Sequence, residues 1–296
     1  MVLRNSGLLL VLIAGGCSAK SGDQQKEKTR VSAALPSNTQ RTESTKPIDE
    51  DGIVAAIERW GGIYRRDENQ EGKPIVSLFL NRSLIADDEC SRLPELSHLR
   101  VLDLADTDIS NQGVRFIGKL SRLEVLNLSK TKIDDEGLSV LASLKQLKSL
   151  AVDRTNVSDD GMKHLSHLHE LVDLNLSRSL VQGKGLIHLR SALRLENLDL
   201  SFSGFDDESL AHVSVLPNLK TLGLGKTKIT NRGLLTLKSC KSLLGLNLAG
   251  TQVDDDGANV LKEFKQLRRL SLVQTNMSSD AIASLKVELP NTKIDQ

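Results

Sequence analysis

One phrase recurs along this chain. The segment TKIDDEG, Thr131 to Gly137, returns in altered wording at Thr107 (TDISNQG), Thr155 (TNVSDDG), Thr227 (TKITNRG) and Thr251 (TQVDDDG), always displaced by a multiple of 24 residues. A fixed period of roughly 20–50 residues confines a chain to a stacked architecture, because each unit can bury its apolar face only against its neighbours.

Rows of 24 residues begin at Ile75, Leu99, Leu123, Leu147, Leu171, Leu195, Leu219, Leu243 and Leu267, nine in all, with no insertion or deletion. Three positions into each row stands Leu without exception, from Leu78 to Leu270, and two further on Leu again in all rows but that of Val152. The spacing L-x-x-L-x-L puts alternate side chains on one side of a short strand. Eight positions in, every row carries Thr or Ser, whose hydroxyl can bond backbone where the strand turns away. An apolar residue follows, then usually Ser, Asp or Thr, which cap helices well. Acidic residues next crowd a helix start, where the helix dipole favours them. Leu138, Leu141 and Leu144, three apart, give the short helix its inward stripe. TKIDDEG thus reads as the turn and cap that carry each strand into its helix.

The rows L-x-x-L-x-L-x-x-[TS]-x-[IV]-[STD]-[DN]-x-G-L-x-x-L-x-x-L resemble leucine-rich repeats, in a form with Thr or Ser where that family usually has Asn. The likeness covers residues 75 to about 290. It implies an α/β solenoid, or horseshoe, with a parallel sheet on the concave face and short helices on the convex face. It also implies a protein–protein interaction module.

A bare terminal row would expose its core, so both ends need caps. Ile48 to Trp60 is expected as an amphipathic helix with Ile53, Ala56, Ile57 and Trp60 on one side, and Gly61 to Ile75 as a hairpin, so that residues 48–74 form the N-terminal cap. Trp60 and Tyr64 are then packing residues of that cap. The solenoid runs over 75–290, closed by Leu285, Val287 and Leu289-Pro290, and residues 291–296 form a C-terminal tail.

Residues 1–17 combine Arg4, an apolar run from Leu8 to Ala14, and small residues before Cys17, as an export signal does. The end Ile13-Ala14-Gly15-Gly16-Cys17 resembles a bacterial lipobox, which makes Cys17 a lipid-attachment site and the membrane a partner through that lipid. Ala14 departs from the Leu usual there, and cleavage after Ala19 would instead release a secreted protein. Residues 18–47 are polar enough to be a disordered tether. The expected location is the cell envelope.

Several chemistries are argued against by the residues. Net charge is +1, which offers nucleic acid no basic face. Aromatic residues make up 2% of the chain, so stacking platforms are scarce. His164, His188 and His212 share a column, yet helices of adjacent rows lie about 8–10 Å apart, too far to converge on one zinc at ~2.1 Å. Asp134-Asp135-Glu136-Gly137 and Asp254-Asp255-Asp256-Gly257 lack the alternating ligands of a calcium loop. Cys90 and Cys240, six rows apart, are expected to be small buried groups and unbridged. No catalytic motif interrupts the rows. No catalytic residue, cofactor or metal is therefore expected, and the chain is not expected to be an enzyme.

The expected partner site is the concave face. Side chains two, four and six positions into each row point away from the core, and they include Asp103, Asn127, Asp153, Asp173, Asn175, Asn197 and Asp199. The next column carries Arg82, Lys130, Arg154, Arg178 and Lys226, a basic border to an acidic and amide-rich stripe. Gly223, Gly225 and Gly245 leave bare strand beyond it. A basic or polar protein segment is expected along the stripe, with Phe202 as its aromatic anchor, on a monomeric domain. The alternative is a self-associating, envelope-organising solenoid without a dedicated soluble ligand; light scattering after size exclusion separates the two.

Overall fold

A computed structural model describes residues 50–296. Cys17, the export signal and the tether lie outside the described residues. Helix α1 (Glu50–Trp60) is followed by β1 (Ile63–Arg66) and β2 (Ile75–Phe79). Then come β3 (Val101–Asp103), β4 (Val125–Asn127), β5 (Ser149–Ala151), β6 (Asp173–Asn175), β7 (Asn197–Asp199), β8 (Thr221–Gly223), β9 (Gly245–Asn247), β10 (Arg269–Ser271) and β11 (Lys293–Asp295). All eleven form one open sheet in chain order.

From β2 onward neighbouring strands are parallel, and the register follows the period of the sequence. Leu78 faces Leu102, Leu102 faces Leu126, and so on to Leu246 facing Leu270. These leucines are buried, together with those two positions later, on the helical side of the sheet. Burying each such side chain stabilises the fold by about 2 kcal/mol, and the array forms one continuous core.

The N-terminal cap takes the expected form. Ile53, Ala56 and Ile57 are buried, Trp60 and Tyr64 pack against the core at its edge, and β1 runs antiparallel to β2. Glu50 fastens helix to hairpin, accepting from Arg66 Nη1 at 2.6 Å and from the Ile75 N–H at 3.3 Å. At the far end the expectation of a tail is corrected. Lys293–Asp295 is a strand parallel to β10, with Ile294 opposite Leu270, so the 24-residue period extends one strand past the last full row. The sequence hides this because Asn291 and Ile294 stand where the pattern has Leu. Leu285 and Leu289 are buried as closing residues, but Val287 is 79% exposed and closes nothing.

The convex elements are not uniform. Segments Asn111–Ile117, Asp135–Leu141, Asn231–Leu237, Asp255–Leu261 and Ser279–Glu288 are α-helical, capped by Ser110, Asp134, Thr230, Asp254 and Ser278. Four other rows wind as 3-10 helix, at Glu89–Glu95, Gly161–His167, Lys184–Ser191 and Ser209–Val215. Pro94 inside the first removes a donor, and Gly183 enters the third at φ 111°; both are unsuited to a regular α-turn.

The acidic residues at these helix starts do more than complement a dipole. Asp135 accepts from the Ser158 N–H at 2.8 Å and from its hydroxyl at 2.6 Å; Asp207 treats Thr230 the same way at 2.9 and 2.6 Å. Asp87 binds Ser110 likewise, and Asp255 accepts from the Ser278 N–H at 2.6 Å. Where that position holds Asn, the next row answers with Asp. Asn111 Nδ2 donates to Asp134 at 2.7 Å while its oxygen accepts from the Asp134 N–H at 3.2 Å, and Asn231 repeats this with Asp254 at 2.5 and 3.1 Å. Six of the eight junctions thus pair an acceptor with a donor, Asp meeting Ser or Thr and Asn meeting Asp; Asp159 instead accepts from the Gln182 and Gly183 N–H groups at 3.3 and 3.0 Å, and Gly183 offers no side chain.

A second column was not anticipated as a backbone feature. Arg82, Asp106, Lys130, Arg154, Arg178, Phe202, Lys226 and Gln274 all have φ between 55° and 61°, and Gly250 completes the column at 65°. The chain leaves each strand through this left-handed residue, whose N–H still reaches the next row; that of Lys130 donates to the Asp153 carbonyl at 2.8 Å. The Thr or Ser hydroxyl that follows then turns back on its own row, as Thr131 Oγ1 does to the Leu128 carbonyl at 2.6 Å.

Candidate functional site

The strand geometry brings Asp103, Asn127, Asp153, Asp173, Asn175, Asn197 and Asp199 onto the sheet face opposite the helices, as the period-two reading requires. In the middle of the sheet these side chains stack on one another and are largely withdrawn from water. Asn127, Asp173 and Asn175 are buried, as are Ser149 and Ala151 beside them.

Much of the stripe has a structural task that the sequence did not disclose. Asp103, Asn127, Asn175, Asp199 and Asn247 each accept from the N–H two residues on, at 2.9–3.0 Å, satisfying a donor that the parallel ladder leaves free. Lateral bonds tie the rows together. Ser129 donates to Asp153, Asn175 to Asp153 at 3.1 Å, and Asn197 to Asp173 at 2.6 Å. Ser129, Ser201, Thr221 and Asn247 belong to the same surface but were not picked out beforehand; the columns that contain them were legible, the lateral bonds were not.

Burial sets the electrostatics. It raises the pKa of Asp103 despite the Ala105 N–H and the Asn127 amide, and raises that of Asp153 despite Ser129 and Arg154. Asp173, 2% exposed, is likewise raised by burial, with Glu196 adding to the effect. Its Oδ2 has no hydrogen-bond partner among the described residues. Asp199, at the stripe's far end, is partly exposed.

The basic border is modified in three ways. Asp106 sits within that column, 3.3 Å from both Arg82 and Lys130. Lys226 bonds Gln274 at 2.6 Å. Arg178 lies over the Phe202 ring with its guanidinium 3.6 Å from the centroid, so the 45% exposed anchor expected from the sequence has one face already covered. The bare strand at Gly223 is also partly filled, because the Asp199 carboxylate leans into the space a side chain there would need. What remains is a hollow of about 140 Å³ lined by Leu174, Asn197, Leu198, Asp199, Thr221, Leu222, Gly223 and Asn247.

Elsewhere, Cys90 and Cys240 are buried and unbridged. Burial pushes the Cys90 thiol up to about 12, helped by Asp87 and Glu89, and raises that of Cys240 too, which leaves little reactive thiolate. His164 is shifted down by burial and Lys163. Among the described residues no group of three His, Cys, Asp or Glu is placed to hold a metal, and no helix is long and apolar enough to cross a membrane.

Comparison with known proteins agrees with this geometry. A family model described as a leucine-rich repeat region matches residues 78–222, just under half of the chain. No curated protein matches the chain in sequence. Among solved structures it is similar to internalin C2 of Listeria monocytogenes, with a TM-score of 0.57 at 19% identity over 79% of this chain and 100% of that one. A second internalin of that organism is 18% identical over 86% of this chain and 92% of its own, at a TM-score of 0.47. The fold is a leucine-rich-repeat solenoid.

Proposed function

We propose that this protein is an interaction module of the cell envelope, exported on its N-terminal segment, held at a membrane by lipid on Cys17, and binding a basic or polar segment of a protein partner along the concave sheet. The observation that supports this most is the segregation of charge on that sheet. From β3 to β9 the strand columns that face away from the core carry carboxylates, amides and small residues but no Lys or Arg, Arg269 on β10 being the first, while Arg82, Lys130, Arg154, Arg178 and Lys226 stand in the left-handed column at the rim. Asp153, Asp173 and Asp199 mark the centre of the surface. A binding face so poor in aromatic residues, whose exposed Phe202 is half covered by Arg178, gives moderate, salt-sensitive affinity.

The test uses the full chain as bait and a variant with Asp→Asn at 153, 173 and 199, checked for folding by circular dichroism. The triple variant should lose most of the low-salt affinity for the captured protein. Unchanged affinity would send the search to the convex side. Mass spectrometry of the mature N-terminus tests the anchor: a free peptide beginning at Lys20 would refute it.

A further inference from the structure

The hollow between β7, β8 and β9 has a lining of unusual one-sidedness. Its polar members are Asn197, Asp199, Thr221 and Asn247, and no Lys or Arg is among its lining residues. Asn197 donates one amide N–H to Asp173 at 2.6 Å, and since a carboxylate only accepts, this orients the amide and leaves its carbonyl oxygen free. Asp199 uses one oxygen to accept the Ser201 N–H at 2.9 Å and keeps the other. The Thr221 hydroxyl has no partner among the described residues. The Asn197 carbonyl oxygen, the second Asp199 oxygen and the Thr221 hydroxyl are thus open as acceptors, and the donors beside them are the neutral amide of Asn247, whose own oxygen accepts from the Ala249 N–H, and the Thr221 hydroxyl itself, with no cation. Behind Asn197 lies Asp173, 2% exposed and with an unpartnered Oδ2, which adds negative charge one row away.

The floor suits a flat group. Gly223 has no side chain, which lets the Asp199 carboxylate lean across it and face the hollow beside Leu198 and Leu222. The volume, about 140 Å³, is of the size that admits a benzene ring in an apolar cavity, which has as many heavy atoms as an alkyl guanidinium and its first two carbons. A planar cation with five N–H donors satisfies several separated acceptors at once, which a point-charge ammonium does less well.

We infer that this hollow is an arginine subsite, taking the guanidinium of a protein partner against Asn197, Asp199 and Thr221. It rests on the reading of the concave face as the binding surface, but it can be tested without the partner. The probe is methylguanidinium, titrated into the isotope-labelled full chain and followed by the backbone amide signals of Gly223, Gly225 and Gly245. Saturable shifts confined to these and adjacent residues are expected, with methylammonium binding more weakly. Asp199→Asn, which keeps the acceptor for the Ser201 N–H, should weaken methylguanidinium binding about tenfold, the effect of removing one charge-assisted bond. Thr221→Leu, which fills the mouth without altering Asp199, should abolish it, while Asp280→Asn on the convex side should not change it. Shifts spread along the whole stripe, equal response to both cations, or indifference to Asp199→Asn and Thr221→Leu would overturn the assignment. If methylguanidinium binds as described while the triple variant still holds its protein partner, the subsite stands and the proposed binding face falls.

Discussion

Exchanging Asn111 for Asp should destabilise the solenoid in a way that one further substitution reverses. At this junction the Asn111 amide donates to Asp134 at 2.7 Å, and both residues are partly exposed. Asn111→Asp removes a hydrogen bond to a charged group, a net loss of about 2 kcal/mol. It also sets two carboxylates about 4 Å apart, worth up to ~4 kcal/mol at an effective dielectric near 20 and less where water reaches them. A total near 3 kcal/mol is expected at pH 7, shrinking as the pH falls towards the carboxylate range and one proton is shared. Adding Asp134→Ser recreates the pairing that Asp87 has with Ser110 and Asp135 with Ser158. Serine also preserves the cap on the Glu136 N–H, which Asp134 now provides at 2.8 Å. The double variant should recover to within about 1 kcal/mol of the parent, a coupling of about 2 kcal/mol. Urea unfolding of all four proteins, followed by circular dichroism, measures this. A double variant no more stable than Asn111→Asp alone would refute donor–acceptor matching as the rule of the junctions.

Two further outcomes follow from groups already described. Asp103, Asp153 and Asp173 have folded-state pKa values raised by burial, so the folded chain binds their protons more readily than the unfolded one. Their contribution is full below the unfolded value and is lost as pH rises through the folded ones. The melting temperature should therefore gain on lowering the pH from 7 to about 5, and Asp173→Asn should gain about 1–2 kcal/mol at pH 7 by removing the unpartnered buried charge; a variant less stable than the parent at pH 7 would contradict this. At the left-handed column, Arg154→Gly should stabilise by about 1 kcal/mol and Arg154→Val should destabilise by more, since both lose the same charge but only valine is strained at φ 56°; equal melting temperatures would show the column to be unstrained.

The parts of this molecule that repeat in the sequence were legible in it, because a repeated position has one environment. Leu78 and its eight equivalents could only be core, and the strand register follows from the period alone. Position on the concave face was equally legible for Asp103 through Asp199. What could not be read were relations between rows. The bond from Asn197 to Asp173 depends on which rotamers two neighbours adopt, and the covering of Phe202 by Arg178 joins residues 24 apart across a surface. The left-handed column was hidden because Arg, Lys, Asp, Phe and Gln give no local signal for positive φ, unlike the glycine at 250. The strand at Lys293–Asp295 was missed because its sequence departs from the leucine pattern while its backbone does not.

Gly183 occupies the place where other rows carry the junction Asp or Asn, and so has nothing to offer Asp206 in the next row. There the tie is instead a single hydroxyl, Ser209 Oγ donating to the Gln182 carbonyl at 2.6 Å, with Asp206 turned inward to Ser209 of its own row. In a one-dimensional stack, end-to-end stiffness is governed by the weakest interface, since tension passes through every row in series. Between the rows joined at Gly183, tension on the convex side is therefore carried by Ser209 Oγ, by Asn218 Nδ2 on the Leu193 carbonyl at 2.8 Å and by Phe205 packed against the glycine, where other rows use a carboxylate or amide clasp.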